Sequence, residues 1–586
     1  MGEAASLLSK NSSVLGKSWI FRQTDPRDCR LLTQHIGVSD LIARLLNARG
    51  ITAEQASDFL SPTLRSYLPD PSHLKDMDIG VKRVIQALRN KEKIAIFGDY
   101  DVDGATSSAL LYRFFEHLGA PPRVYIPDRQ KEGYGPTVSA LRQLHEEGMR
   151  VVITVDCGTT AHESLEQATE LGLDSIVIDH HVSLPFLPKV TAVINPNRVD
   201  QESSCGTLAA VGVSFLFLVA LNRALKEQNL YTKETQSFDL LSLLDLVALG
   251  TVCDVVSLTG LNRAFVSQGL KIMGQRKNLG LKTLMDQSGI QSRLTPYHLG
   301  FILGPRVNAG GRVGQSSLGV QLLTTREASH AQTLAQSLGT YNDQRQAIEA
   351  QVLEEATAQV NPSDTGFICV FGEGWHPGVI GIVAGRLKDK FHRPCAVIAL
   401  DGTQGKASAR SIAGFDLGAQ IQEACRQGLL ITGGGHPMAA GFTIDTSQIK
   451  AFQAFMNDRL QGVDMTPYLY IDSYLSANGV TVEFIQSLEK MEPFGMGNST
   501  PRFVLSDARL NHIVPVGTHH LRCSLRTLEG KSLTAMAFRS IGTSLGDALL
   551  NSQGQMIEVA GTVSLNTWGG RDIPQFIIED MANQHR

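Results

Sequence analysis

Between residues 94 and 178 the chain sets out four short apolar runs: Ile94-Ala95-Ile96-Phe97, Arg123-Val124-Tyr125-Ile126, Val151-Val152-Ile153-Thr154-Val155 and Ser175-Ile176-Val177-Ile178. Each is shorter than a helix needs and rich in β-branched residues, and helix-length segments separate them. That alternation fits βαβ units, whose strands lie parallel and buried on both faces, so the chain from Val81 onward is expected to form an α/β domain. Open parallel sheets bind ligands beyond the carboxyl ends of their strands. Three of the four runs end there on an acid: Asp99, Asp156 and Asp179.

At 586 residues the chain exceeds what one core supports, and two to four domains are expected. Residues 1–80 read as an N-terminal helical extension closing on Leu68-Pro69-Asp70-Pro71, and 81–325 as the parallel-sheet domain, mainly helical from about 205 to 285. Residues 326–359 read as a connecting helix that Gly339 could break. A second α/β domain, 360–464, opens with Gly366-Phe367-Ile368-Cys369-Val370-Phe371 and runs to a glycine-rich loop at Gly433. Short strands and turn residues over 465–586 predict a small β-barrel.

The net charge of −4 gives no global basic signature, so any positive surface for a polyanion must be local. Eight cysteines form no CxxC pair and no zinc-finger spacing, which fits a reduced cytoplasm. Met1 to Trp19 lacks a basic region followed by an apolar core, and no run approaches the roughly 18 to 20 apolar residues of a membrane span. The chain reads as neither secreted nor membrane-inserted.

The strand-end residues carry the chemistry. Asp99, Asp101 and Asp103 alternate in Gly98-Asp99-Tyr100-Asp101-Val102-Asp103-Gly104, and alternation aims them together. An EF-hand would need an acid at the twelfth position from Asp99, where Leu110 stands. Clustered acids at the end of a buried strand repel unless a cation neutralises them. Taken alone, Asp156 is more often a helix cap, and His180-His181 more often an incidental surface pair. Their shared position at strand ends joins them to the first loop. Asp254, inside the apolar Leu249-Gly250-Thr251-Val252-Cys253-Asp254-Val255-Val256, needs a partner or a metal. Carboxylates with one or two imidazoles suit Mn²⁺ or Mg²⁺, with Zn²⁺ chemically open, and a pair of ions about 3.5 to 4 Å apart fits hydrolysis at phosphorus.

In this order the four elements resemble the motifs of the DHH phosphoesterase superfamily, named for a triplet such as Asp179-His180-His181. Gly433-Gly434-Gly435-His436-Pro437-Met438-Ala439-Ala440-Gly441 resembles the glycine-rich motif of the associated DHHA1 domain. Three further segments resemble the RecJ family of exonucleases: Gly304-Pro305-Arg306-Val307-Asn308-Ala309-Gly310-Gly311-Arg312, Trp375 to Arg386, and Lys406-Ala407-Ser408-Ala409-Arg410-Ser411. With the barrel, the resemblance covers nearly the whole chain.

It implies a DHH domain joined by a long helix to a DHHA1 domain, with an OB-like barrel behind them. By the same resemblance Asp99, Asp101, Asp103, Asp156, His180 and Asp254 are metal ligands or their immediate support. His181 contacts the reacting phosphate or activates water, and Asp179 orients the histidines. Arg306, Asn308, Arg312, Ser408, Arg410, Gly433, Gly434, Gly435 and His436 are implied substrate contacts. On the barrel, Arg502, Phe503, Arg522, Arg526, Phe538 and Trp568 are candidates for the face that meets a single strand, and each aromatic taken singly reads at least as well as core. The implied activity is a metal-dependent exonuclease degrading single-stranded DNA from 5′ to 3′ in recombination and repair. A single-strand-binding protein is the implied partner, no membrane is expected, and the protein is expected to be a monomer. A hydrolase of short oligonucleotides or cyclic dinucleotides and a non-catalytic DNA-binding scaffold are the rival readings.

Overall fold

The structure, a computed structural model, describes residues 13–582 apart from 130, 233–234, 528–529 and 569–570. Two compact units emerge: residues 63–465 with 495–497, and residues 13–62 with 466–494 and 498–582.

In the larger unit five parallel strands lie in the order Arg123–Tyr125, Ile94–Gly98, Val151–Val155, Asp174–Ile178, Ala192–Ile194. Alternate residues face two cores, as strands buried on both faces require. Ile94, Ile96, Val151, Ile153 and Ile176 pack with the helices Met77–Asn90, Val102–His117 and Ala210–Glu227, while Ala95, Phe97, Val152 and Val177 pack with Leu141, Leu144 and Leu165. The strand of this sheet that comes first in sequence, Ile94–Gly98, lies between the second and third, so the winding direction reverses beside it. Such a reversal opens a crevice at the carboxyl ends of the two central strands, where open sheets of this order take their ligands. Asp99 and Asp156 follow those two strands.

From this domain a continuous helix, Ala328–Ala358, leads to the next. It does not break at Gly339: one glycine in a helix costs about 1 kcal/mol. Leu334, Ala335 and Leu338 hold one end in the first core, and Val352 and Ala356 hold the other in the second. The second sheet runs Thr432–His436, Ala439–Asp445, Gln404–Arg410, Cys395–Asp401, Ile368–Glu373, antiparallel except for its last pair. Gly433, Gly434 and Gly435 therefore form an edge strand where a loop was expected, because the ladder to Ala439–Asp445 fixes them extended. At Gly435 a Cβ would lie 2.4 Å from the Ala439 carbonyl oxygen, so a side chain there would force the hairpin apart.

The smaller unit is built on a barrel in which Phe503–Val516, His520–Thr527, Ser532–Ala537, Arg571–Met581 and Met556–Trp568 pair in sequence and the last closes on the first. Five strands closed this way form an OB-type barrel. Ser18–Phe21 pairs in parallel with Tyr468–Ile471, and Leu32, Leu45 and Phe59 of the N-terminal helices share one core with Leu505, Leu549 and Phe576. Phe503, a candidate for the binding face or the core, is fully buried because its position in the strand points inward, and Arg502 is engaged by Glu579 at 2.6 Å. Arg522, Arg526 and Phe538 are exposed; the Trp568 side chain lies outside the described residues.

Arg49 clamps this unit. Its guanidinium donates to Asp472 Oδ1 (3.1 Å), the Ser499 carbonyl (2.8 Å) and Asn498 Oδ1 (3.1 Å), and Asp472 also accepts from the Arg502 backbone N–H at 2.9 Å. Both charges are buried, so removing one strands the other. Asp472→Ala is expected to destabilise the protein by about 3–5 kcal/mol, read as a lower urea midpoint for the barrel's transition. An unchanged midpoint would show that Arg49 finds water instead.

Among the described residues no helix is long and apolar enough to cross a membrane, and the eight cysteines are all free thiols.

Candidate metal centre

Four chain segments converge over the crevice. After Gly98 the chain turns so tightly that a Cβ on Gly104 would lie 2.4 Å from the Asp99 carbonyl oxygen, which packs Asp99 against the start of the helix Val102–His117. Asp101 caps that helix, one oxygen accepting from the N–H groups of Asp103 (2.8 Å) and Gly104 (3.1 Å). Asp103, fully buried, accepts from the N–H groups of Ala210 (2.6 Å) and Val211 (2.9 Å) at the N-terminus of the helix Ala210–Glu227. That helix end favours its negative charge. Asp156 follows the third strand with φ at +60°, a left-handed backbone that an aspartate tolerates better than a bulky residue. Asp254 sits at the C-terminus of the helix Leu244–Cys253, where the helix dipole opposes a carboxylate.

These side chains meet. One ligand atom from each member lies within 4.8 Å of the others in three overlapping sets: Asp99, Asp101 and Asp156; Asp103, His180 and Asp254; Asp156, His180 and His181. His180 Nε2 is 3.4 Å from Asp156 Oδ1, 3.7 Å from Asp254 Oδ2 and 4.0 Å from Asp103 Oδ2. His180 Nε2, Asp99 Oδ1 and Asp254 Oδ2 are buried atoms without a hydrogen-bond partner. Three orphaned polar atoms in one acidic pocket, all hard or borderline donors, fit divalent cations such as Mn²⁺ or Mg²⁺.

The charges agree. Burial and Asp101 push Asp99 up to about 8, burial and Asp103 push Asp254 up to about 9, and burial with the neighbouring carboxylates drives Asp156 well above the usual range. Burial and the charge of His181 push His180 down to about 4, which leaves it the neutral imidazole a metal takes. Metal-free protein therefore holds protons that the unfolded chain gives up near pH 4, and the sign follows. The stability these protonated acids contribute is fullest below about pH 4 and is lost as pH rises through the folded values, about 8 and 9. In chelator the melting temperature is expected to fall between pH 6 and 9, less steeply in Asp156→Asn, and added Mn²⁺ should reverse the fall. A melting temperature that rises across this range in chelator would contradict the crowding of these acids.

Asp179 stands apart from the cluster. It is buried and accepts from the Thr159 N–H (3.0 Å), the His180 N–H (2.8 Å), the His181 N–H (3.2 Å) and His181 Nδ1 (2.7 Å). Burial alone would raise its pKa, but the hydrogen bond and charge of His181 outweigh it and hold the group ionised. In return, against its own burial, Asp179 raises the pKa of His181. Sequence reasoning missed the framework behind the pair. Asn195 donates to the His181 carbonyl at 2.8 Å, Asn197 donates to the His180 carbonyl at 2.6 Å, and the Tyr134 hydroxyl donates to the Asp156 carbonyl at 3.0 Å, lying 3.3 Å from His181 Nδ1. Asn195 and Asn197 directly follow the fifth strand, Ala192–Ile194, so the strand-end rule would have found them had that three-residue run been read as a strand.

Guanidinium groups flank the acids. Arg312, in the helix Gly304–Val313, donates to the Gly378 carbonyl at 3.1 Å and so ties the first domain to the second. Burial, Arg129 and Arg345 lower its pKa to about 10, and Asp101 opposes them. Arg410 bonds to Ser408 Oγ at 3.2 Å, and Arg129 bears on it too. In the sheet register His436 stands beside Ala439 and Arg410, and Gly434 beside Gly441 and Ser408, which places Gly434, His436, Ser408 and Arg410 on one face; Gly433 and Gly435 belong to the other. Arg129, over the Tyr100 ring at 4.9 Å, was not foreseen. Arg306 donates to the Ile302 carbonyl of its own helix at 2.7 Å, and Asn308 lies one turn before Arg312.

Comparison with known proteins gives three matched domains: the DHH family N-terminal domain over residues 93–251, the DHHA1 domain over 364–462 and the RecJ OB domain over 471–580. The single-stranded-DNA-specific exonuclease RecJ of Bacillus subtilis is 36% identical over 96% of this chain and 70% of its own length. That of Escherichia coli is 33% identical over 92% of this chain and 95% of its own. Among solved structures, RecJ from Thermus thermophilus in complex with Mn²⁺ superposes with a TM-score of 0.82 at 28% identity, covering 97% of this chain and 80% of that one. The same protein in complex with Mg²⁺ gives 0.76.

Proposed function

The chain belongs to the RecJ family of single-stranded-DNA-specific exonucleases, and from that premise we propose how it acts: by hydrolysing successive phosphodiester bonds of single-stranded DNA, from the 5′ end, in recombination and repair. One observation carries the reading: a buried cluster of carboxylates around His180, with orphaned ligand atoms, lies beside a group of arginines. Acids for cations and guanidiniums for phosphate are what a phosphodiesterase needs side by side.

Asp99, Asp101, Asp103, Asp156, His180 and Asp254 would hold the metal, as Mn²⁺ or Mg²⁺ and as two ions. When bound, the ions supply charge neutralisation at the phosphate and an acidified water. The chain's own residues do the rest. Asp179 holds a proton on His181 Nδ1, which orients the ring and leaves Nε2 to meet the phosphate or the attacking water. Arg312 and Arg410, with Ser408 and the open edge at Gly433, Gly434, Gly435 and His436, would grip the phosphate backbone, and Arg306 and Asn308 would extend the grip along the helix.

A time course on a 3′-labelled single-stranded oligonucleotide tests this, with Mn²⁺, Mg²⁺ or chelator, beside the matching duplex and RNA. Metal-dependent stepwise shortening of the single strand alone is expected. Binding without cleavage would favour a scaffold, and cleavage confined to very short substrates an oligonucleotide or cyclic dinucleotide hydrolase. A monomer in the cytoplasm, working with a single-strand-binding protein, completes the reading.

A further inference from the structure

Tyr297 and Phe301 are two large aromatic side chains left in water, 61% and 73% exposed. Their rings stack on each other, centroids 5.2 Å apart and planes within 26°. Residues that are four apart on a helix pack in this way, so the pair is held as one double ring. The backbone beneath them is unusual: His298–Leu303 is a π-helix, which merges without a break into the helix Gly304–Val313. A π segment shifts the side chains after it around the axis and is found often at functional sites.

Its position is fixed by close contact. The Leu299 carbonyl accepts from Cys253 Sγ at 3.5 Å, and a Cβ on Gly304 would fall 2.4 Å from that sulfur. Cys253 is the residue before Asp254, so the ring-bearing segment is pressed against the wall of the carboxylate cluster. Further along the same helix come Arg306 and Arg312. One continuous helix thus presents two exposed rings and then two guanidiniums, starting beside the acids.

We propose that Tyr297 and Phe301 form a stacking platform for the bases of the single strand whose phosphates the arginines of the same helix hold; this rests on the function proposed above. Single strands repeat a phosphate and an unstacked base at every residue, and a surface that alternates cations with aromatic faces matches that repeat without reading sequence. Flanking residues Gln291, Ser292 and Arg293 are exposed and polar, which suits a wet groove better than a protein–protein core.

The test compares steady-state degradation of a 3′-labelled strand by the wild-type protein and by Tyr297→Leu/Phe301→Leu, which keeps apolar bulk and removes the π faces. KM should rise roughly 5- to 100-fold, with a smaller change in kcat, and Tyr297→Phe/Phe301→Tyr should restore the wild-type value. A strand carrying a run of abasic residues should show the same KM penalty with wild-type protein and no further penalty with the Leu pair. An intact metal-induced rise in melting temperature checks that the Leu pair is folded. An unchanged KM in the Leu pair, or an abasic penalty equal in both proteins, overturns the platform. Failure of wild-type protein to shorten any single strand overturns the function itself, a separate outcome.

Discussion

Replacing His180 by alanine should lower hydrolysis of single-stranded DNA by about 1,000-fold or more, and should also abolish the rise in melting temperature produced by Mn²⁺. His180, like Asp156, belongs to two of the three sets of converging ligand atoms, and it lies within 4.0 Å of Asp103, Asp156 and Asp254. Without the imidazole, the set formed by Asp103, His180 and Asp254 loses its one nitrogen donor, and a cation there must be held by oxygens alone. A loss of several kcal/mol in transition-state charge stabilisation corresponds to that factor. Protein stability in chelator should fall only modestly, by about 1–3 kcal/mol, because the ring gives up its hydrogen bond to the buried Leu208 backbone while its Nε2 makes none. Wild-type turnover, or an undiminished metal-induced melting shift, would remove His180 from the centre of the site.

How much of this could be read before the fold was known depends on how local each signal is. The strands at Ile94, Val151 and Asp174 were legible because a buried parallel strand must be short, apolar and β-branched, and the acids that end the runs stand where such sheets open. Asp254 was legible for a different reason: a carboxylate in an apolar segment needs an explanation. Arg129 and Tyr134 lie in the loop after the edge strand, and nothing local marks that this loop folds back over Tyr100 and His181. The N-terminal strand and helices gave no sign of their partner, since a pairing such as Ser18 with Tyr468 leaves no periodicity in either segment. Gly433 to Gly435 misled in the opposite direction. Glycines lack the side chains that show a strand's alternation, and their extended form is imposed by the neighbouring strand.

The pair behind the cluster allows a sharper separation of roles. His181→Ala is expected to reduce kcat roughly 100- to 10,000-fold, the range for loss of a positioned acid–base group. Asp179→Asn should reduce it less, roughly 10- to 100-fold, because the ring remains but loses the carboxylate that orients it. If Asp179 acts through His181, the double variant should be no slower than His181→Ala alone, since effects within one functional unit do not add. All three proteins should keep most of the metal-induced melting shift that His180→Ala loses: the five carboxylates and His180 remain in place, and only the third of the converging sets includes His181. Full additivity of the two substitutions would mean that Asp179 serves the reaction through some group other than His181. Because Asp179 also accepts from the backbone N–H of Thr159, asparagine is the informative replacement: its oxygen can keep that bond while its charge is gone.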